Sequence, residues 1–108
     1  MIEKYTFNGN DFKSVLQFEG WKIGLLRYSE RFSSFKVLER HLLTDEAFIL
    51  LLGSAVLYTE TEQIEMEKGV VYNVPKGEYH HIVVSEDATV MVVENSNTSE
   101  DNTEIKRV

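Results

Sequence analysis

The stretch Gly69-Val70-Val71-Tyr72-Asn73-Val74-Pro75-Lys76-Gly77-Glu78-Tyr79-His80 decides the reading of this chain. Its skeleton is glycine, five residues, proline, one residue, glycine, two residues, histidine. With glycine near 7% and proline near 5% of ordinary sequence, the Gly-Pro-Gly spacing alone arises by chance only about once in forty chains of this length. The physical sense is a strand that runs into a Pro-Gly turn. Pro75 fixes one backbone angle and Gly77 permits another, so His80 enters the following strand in a defined direction.

A second informative cluster lies upstream: Glu39-Arg40-His41-Leu42-Leu43-Thr44-Asp45-Glu46, with Gly53 six residues further on. In an extended strand, alternate residues share a face, so Phe35, Val37, Glu39 and His41 point one way and Arg40 and Leu42 the other. Glu46 opens the next strand, and its face continues through Phe48, Leu50 and Leu52. In both strands polar groups cap an apolar stripe. If these stripes face one interior, Glu39, His41 and Glu46 converge at its mouth.

The rest of the sequence fits short extended segments. Strands are expected near 21–28, 35–42, 47–52, 55–60, 63–67, 70–74, 79–84 and 89–94, in runs rich in β-branched, leucine and aromatic residues. Turn signals fall between them at Gly53-Ser54, Lys68-Gly69, Pro75-Lys76-Gly77 and Ser85-Glu86-Asp87. Many short strands at this spacing indicate an all-β sandwich or barrel, and a jelly roll fits the count. Residues 1–15 read as an edge strand with a turn at Asn8-Gly9-Asn10-Asp11, and 14–18 leave a helical reading open. One domain is expected over 1–95. The polar run that follows, 96–108, has no aromatic residue and is expected to be a flexible tail.

Composition narrows the function classes. The 108 residues carry eleven Lys and Arg against eighteen Asp and Glu, a net charge of −7. That balance repels a polyanion, so no nucleic-acid partner is expected. The acidic run Glu60, Glu62, Glu65 and Glu67 reads as a solvated strand edge. No cysteine is present, which removes disulfides and thiolate metal sites and leaves nitrogen and oxygen as the available ligands. The longest apolar run, Ala47 to Leu52, is far short of the roughly 20 residues of a membrane helix, and the start MIEKYTFNGND lacks the apolar stretch of a signal peptide. A cytoplasmic location and no membrane partner are the corresponding expectations.

The two clusters resemble the paired short motifs of the cupin superfamily, G-x5-H-x-H-x3-4-E-x6-G and G-x5-P-x-G-x2-H-x3-N. His41, Glu46 and Gly53 match the end of the first; Gly69, Pro75, Gly77 and His80 match the second. Glu39 stands where the first histidine of the pair would be, Val84 replaces the final asparagine, and the leading glycine is a serine, Ser33 or Ser34. The resemblance spans about 33–84 and implies a double-stranded β-helix, or jelly-roll barrel. It also implies one divalent ion, Fe, Mn, Zn or Ni, on His41, Glu46 and His80, with Glu39 as a fourth ligand or as a catalytic general base. Two imidazoles and one carboxylate form a facial set that leaves open positions.

His81 should face away from His80 by strand alternation, and Trp21, Phe32, Phe35, Phe48, Tyr58 and Tyr72 read mainly as core. No phosphate loop or activated hydroxyl nucleophile is present. Three readings follow: a metal-dependent small-molecule enzyme of dioxygenase or isomerase type, a non-catalytic module binding a sugar-like small molecule, and a metal-free sugar isomerase or epimerase. Exposed sheet edges, together with the resemblance, lead to the expectation of a homodimer.

Overall fold

The computed structural model describes residues 1–108 as two five-stranded antiparallel sheets packed face to face. The strands are β1 (Phe12–Phe18), β2 (Trp21–Arg27), β3 (Val37–His41), β4 (Glu46–Leu52), β5 (Ala55–Thr59), β6 (Gln63–Glu65), β7 (Val71–Val74), β8 (His80–Val84), β9 (Thr89–Asn95) and β10 (Thr103–Arg107). One sheet runs β1-β2-β9-β4-β7 and the other β10-β3-β8-β5-β6, the crossing connectivity of a jelly roll. All eight strands expected from sequence form, with ends shifted by up to two residues. Residues 12–18 are strand β1, so the helical reading of 14–18 is set aside. The expected N-terminal edge strand begins only after the bends at 9–11.

The alternation that defined the strands also separates core from surface. Phe48 and Leu50 of β4, Val90 and Val92 of β9, Leu26 of β2, Leu57 of β5, and Ile82 and Val84 of β8 point inward and are at most 4% exposed. Those strands carry their polar inward residues toward one end. Across the first sheet, Lys22 pairs with Glu94 and Glu94 with Glu46; across the second, Thr103 pairs with His41 and Glu39 with His80. The barrel therefore has an apolar end and a polar end. The acidic run 60–67 is largely solvent-exposed, as expected, although Met66 within it is buried.

Two glycines shape the polar end. Gly77, at φ +84°, turns the chain after Pro75, and its N–H donates to the His41 carbonyl at 2.8 Å, which fixes the start of β8 against β3. Gly24 leaves room for the Phe12 ring, whose Cζ lies 2.1 Å from where a Cβ would stand.

The segment 96–108 differs from its expected role. It forms a short 3-10 turn at Glu100–Asn102 and then β10, which pairs residue by residue with β3 from Thr103↔His41 to Arg107↔Val37. A polar sequence with little to bury is ordered here because β3 offers it an open edge. No helix is long and apolar enough to cross a membrane. Removing 103–108 should lower unfolding free energy by about 2–4 kcal/mol, several backbone hydrogen bonds at about 1 kcal/mol each, and urea denaturation measures it.

Candidate metal centre

At the polar end, His41, Glu46 and His80 meet. The Glu46 side chain projects from β4 between two imidazoles of the opposite sheet: its Oε1 lies 2.9 Å from His80 Nε2 and 3.2 Å from His41 Nε2. All three residues are at least 92% buried. Glu39, His41 and His80 bring ligand atoms within 4.8 Å of one another, and so do His41, Glu46 and Glu94. The four residues singled out from sequence are therefore neighbours, joined by Glu94, which the sequence reading passed over.

Hydrogen bonds fix the state of both rings. The Thr103 hydroxyl donates to the Ser99 carbonyl at 2.8 Å, so at 3.0 Å it accepts from His41 Nδ1–H. His80 Nδ1 donates to the Glu78 carbonyl at 3.1 Å, since a carbonyl only accepts. Each Nε2 is thereby turned to the cavity, the orientation that outer hydrogen bonds impose on metal-binding histidines. His41 Nε2 has no hydrogen-bond partner despite its contact with Glu46, and Glu94 Oε2 is also buried without one. Nitrogen lone pairs and carboxylate oxygens facing one another require protons or a cation between them. These unpartnered atoms and the hard nitrogen and oxygen donors fit a divalent ion.

The electrostatics agree. Burial opposes the charge on Glu46, but the two imidazoles beside it, His41 and His80, outweigh that cost and hold the carboxyl well below the usual range. Burial, reinforced by the neighbouring Glu46 carboxylate, pushes Glu94 up to about 8. The two carboxyls share a proton that resides on Glu94. Burial likewise works against a charge on His41, yet Glu46 wins and its pKa is raised.

His81 does not join the cluster. Its Nε2 donates to the Ser34 carbonyl at 2.9 Å, its ring is stacked near Phe32 and Phe35, and burial lowers its pKa. It is a core-edge residue, as alternation indicated. Phe32 and Phe48 belong to the core; Trp21 is 41% exposed and does not.

The cluster floors a cavity of about 100 Å³ walled by Phe12, Leu26, Phe32, Phe48, Ile82 and Val92. Phe12, Arg31, Glu39, His41 and Glu94 also line an outer chamber of about 580 Å³, completed by Lys22, Val37, Thr98, Ser99, Glu100, Thr103 and Ile105. Arg31, from the turn before β3, is 3.7 Å from Glu39 and 3.2 Å from Asp11. Lys22 is 3.9 Å from Glu94. Lys22 and Glu94 lie in inward phase on their strands, so strand alternation contained a signal for both. Arg31 and Thr103 had no such signal.

No protein-family model matches the chain, and no curated protein sequence matches it. Solved structures do. A cupin-2 domain protein from Shewanella frigidimarina is similar at TM-score 0.67 and 22% identity, over 82% of this chain and 84% of the other. A cupin superfamily protein from Desulfitobacterium hafniense gives 0.60 and 21%, over 87% and 82%. Pac13 from Streptomyces, a nucleoside dehydratase also solved with uridine, gives 0.73 and 13%, over 99% and 92%. At such identities the likeness establishes the fold, and the fold is that of a cupin.

The raised carboxyl has a consequence for stability. Unfolded, Glu94 ionises near 4.5; folded, it keeps its proton to about 8. Between those values the folded state holds the extra proton, so unfolding free energy falls as pH rises. His41 acts in the same direction, because its contribution is present below its ordinary value and is lost as pH passes its raised one. Chelator-treated protein should therefore weaken steadily over that interval in urea melts, and Glu94→Gln should flatten the decline.

Proposed function

We propose that this cupin-fold chain is a metal-dependent small-molecule enzyme of the isomerase type. His41, Glu46 and His80 would hold one divalent ion, and Glu39 and Glu94 would move protons on the substrate. The observation that carries the reading is the buried Glu46 carboxylate set between Nε2 of His80 and Nε2 of His41, the latter without a hydrogen-bond partner, on the floor of one cavity.

A divalent ion bound there supplies Lewis acidity to a substrate carbonyl or enediol. Everything else falls to the chain's own residues. Glu94, held protonated near neutral pH, is suited to give a proton, and Glu39, a quarter exposed and beside Arg31, to take one. They come from opposite sheets and line one cavity, so acid and base would flank a bound molecule. Phe12, Phe32 and Phe48 keep water from the floor, which strengthens each electrostatic contact. Isomerisation is favoured over dioxygen chemistry because two carboxyl groups beyond the proposed ligand set serve proton transfer. That some proteins of this fold are enzymes, Pac13 among them, is consistent with catalysis here.

Elemental analysis of untagged protein tests the ligand set. About one equivalent of Fe, Mn, Zn or Ni is expected, and none in the His41→Ala, His80→Ala double variant. Protein that takes up no metal after anaerobic reconstitution would replace this reading with metal-free isomerisation or epimerisation. Thr103→Val should weaken metal binding about 10–100-fold by freeing the His41 ring, the usual cost of losing an outer hydrogen bond, and Thr103→Ser should restore it. Competition with a chromogenic zinc chelator measures both.

A further inference from the structure

Two ion pairs at the mouth of the cavity are too wide for hydrogen bonds. Lys22 Nζ stands 3.9 Å from Glu94 Oε1, and an Arg31 terminal nitrogen stands 3.7 Å from Glu39 Oε1. All four residues line the outer chamber. The Lys22 side chain is only 16% exposed and gives one hydrogen bond, to the Thr98 carbonyl at 2.9 Å, which leaves donors unspent. The Glu94 side chain is 6% exposed, and the oxygen that faces Lys22, Oε1, lies beyond hydrogen-bond reach of it. Buried polar groups left unmatched in this way are costly.

A third group would resolve both pairs if it donated to the carboxyl oxygen and accepted from the cation at once. A hydroxyl does this with a single oxygen. Placed about 2.8 Å from each partner, a usual hydrogen-bond length, that oxygen fits between atoms separated as these are.

We infer that the outer chamber binds a neutral polyhydroxylated molecule of sugar type, with one hydroxyl between Lys22 and Glu94 and a second between Arg31 and Glu39. An anion is disfavoured because Glu39 and Glu100 already match the two cations of the chamber, which leaves no positive charge in excess. An ammonium compound is disfavoured because it cannot accept from Lys22 or Arg31. Phe12 lines both chambers and offers an apolar face to the C–H side of a sugar ring. A volume of about 580 Å³ lies within the roughly 300–1,000 Å³ of small-ligand sites. The inference names the substrate class of the function proposed above; it rests on that reading for the reaction, while the binding does not require the metal.

The test is titration followed by two-dimensional amide NMR, on zinc-loaded and on chelator-treated protein, with D-ribose, D-glucose, succinate and n-butylamine as probes. At least one sugar should give saturable shifts in both preparations, and succinate and butylamine should give none. Lys22→Met should weaken sugar binding at least tenfold with zinc content unchanged. If that variant does not fold, half-exposed Arg31→Leu carries the same expectation. Saturation by succinate or butylamine but neither sugar overturns the inference, as does silence from both sugars or full sugar affinity in the folded variant. Sugar binding in protein that cannot take up zinc would uphold the inference and remove the metal reading alone.

Discussion

A carboxylate buried at the level of Glu46 cannot hold its charge alone. Removing such an ion from water costs several kcal/mol, and the cost is recovered only through close partners of opposite sign or matching hydrogen bonds. Here His80 and His41 provide them, 2.9 and 3.2 Å away. Glu46 belongs to one sheet and the imidazoles to the other, so this contact joins the two halves of the barrel. It also fixes the relation of β3, β4 and β8, since a one-residue slip in any of them would turn its polar group out of the interior.

The same constraint explains why the barrel is two-ended. Leu50, Val84, Ala88 and Val90 fill one end and are no more than 4% exposed. Toward the other, each inward stripe finishes on a polar residue, giving the cross-strand sequence Lys22, Glu94, Glu46 in one sheet and the pairs Thr103–His41 and Glu39–His80 in the other. The apolar end supplies burial and the polar end supplies chemistry. Alternation is unbroken from Glu46 to Leu50 in β4 and along β9, so the rigid core sets the direction of the site side chains; beyond Leu50 a register shift turns Leu52, expected on the inward face, out to the surface at 58% exposed.

Legibility in the sequence followed this division. Strand positions and the convergence of Glu39, His41, Glu46 and His80 were readable because period-two alternation and motif spacing are local properties. Glu94 is two residues beyond buried Val92, and Lys22 two residues before Gly24, so phase pointed to both. A charge at a strand end, however, reads equally well as a solvated terminus. Thr103 was not readable at all. Its strand is ordered by the free edge of β3, some 60 residues away, and nothing in a polar tail announces that partner. Arg31 sits in a turn, where no period assigns a direction.

Glu39 ties these points together. A carboxylate at a position where the cupin motif carries a neutral imidazole adds a negative charge to an already acidic mouth. The cations that answer it, Arg31 and Lys22, lie outside both motifs. Asp11, Glu39, Glu46 and Glu94, set against Lys22 and Arg31, leave two negative charges unmatched. In the metal-free chain the raised pKa values of His41 and Glu94 favour protons on the cluster. A divalent ion on His41 takes the place of the proton there, while Glu94, outside the proposed ligand set, keeps its own. A carboxylate at position 39 then supplies negative charge that a neutral imidazole would not, and so preserves the capacity for a metal at a mouth that lacks one histidine of the motif.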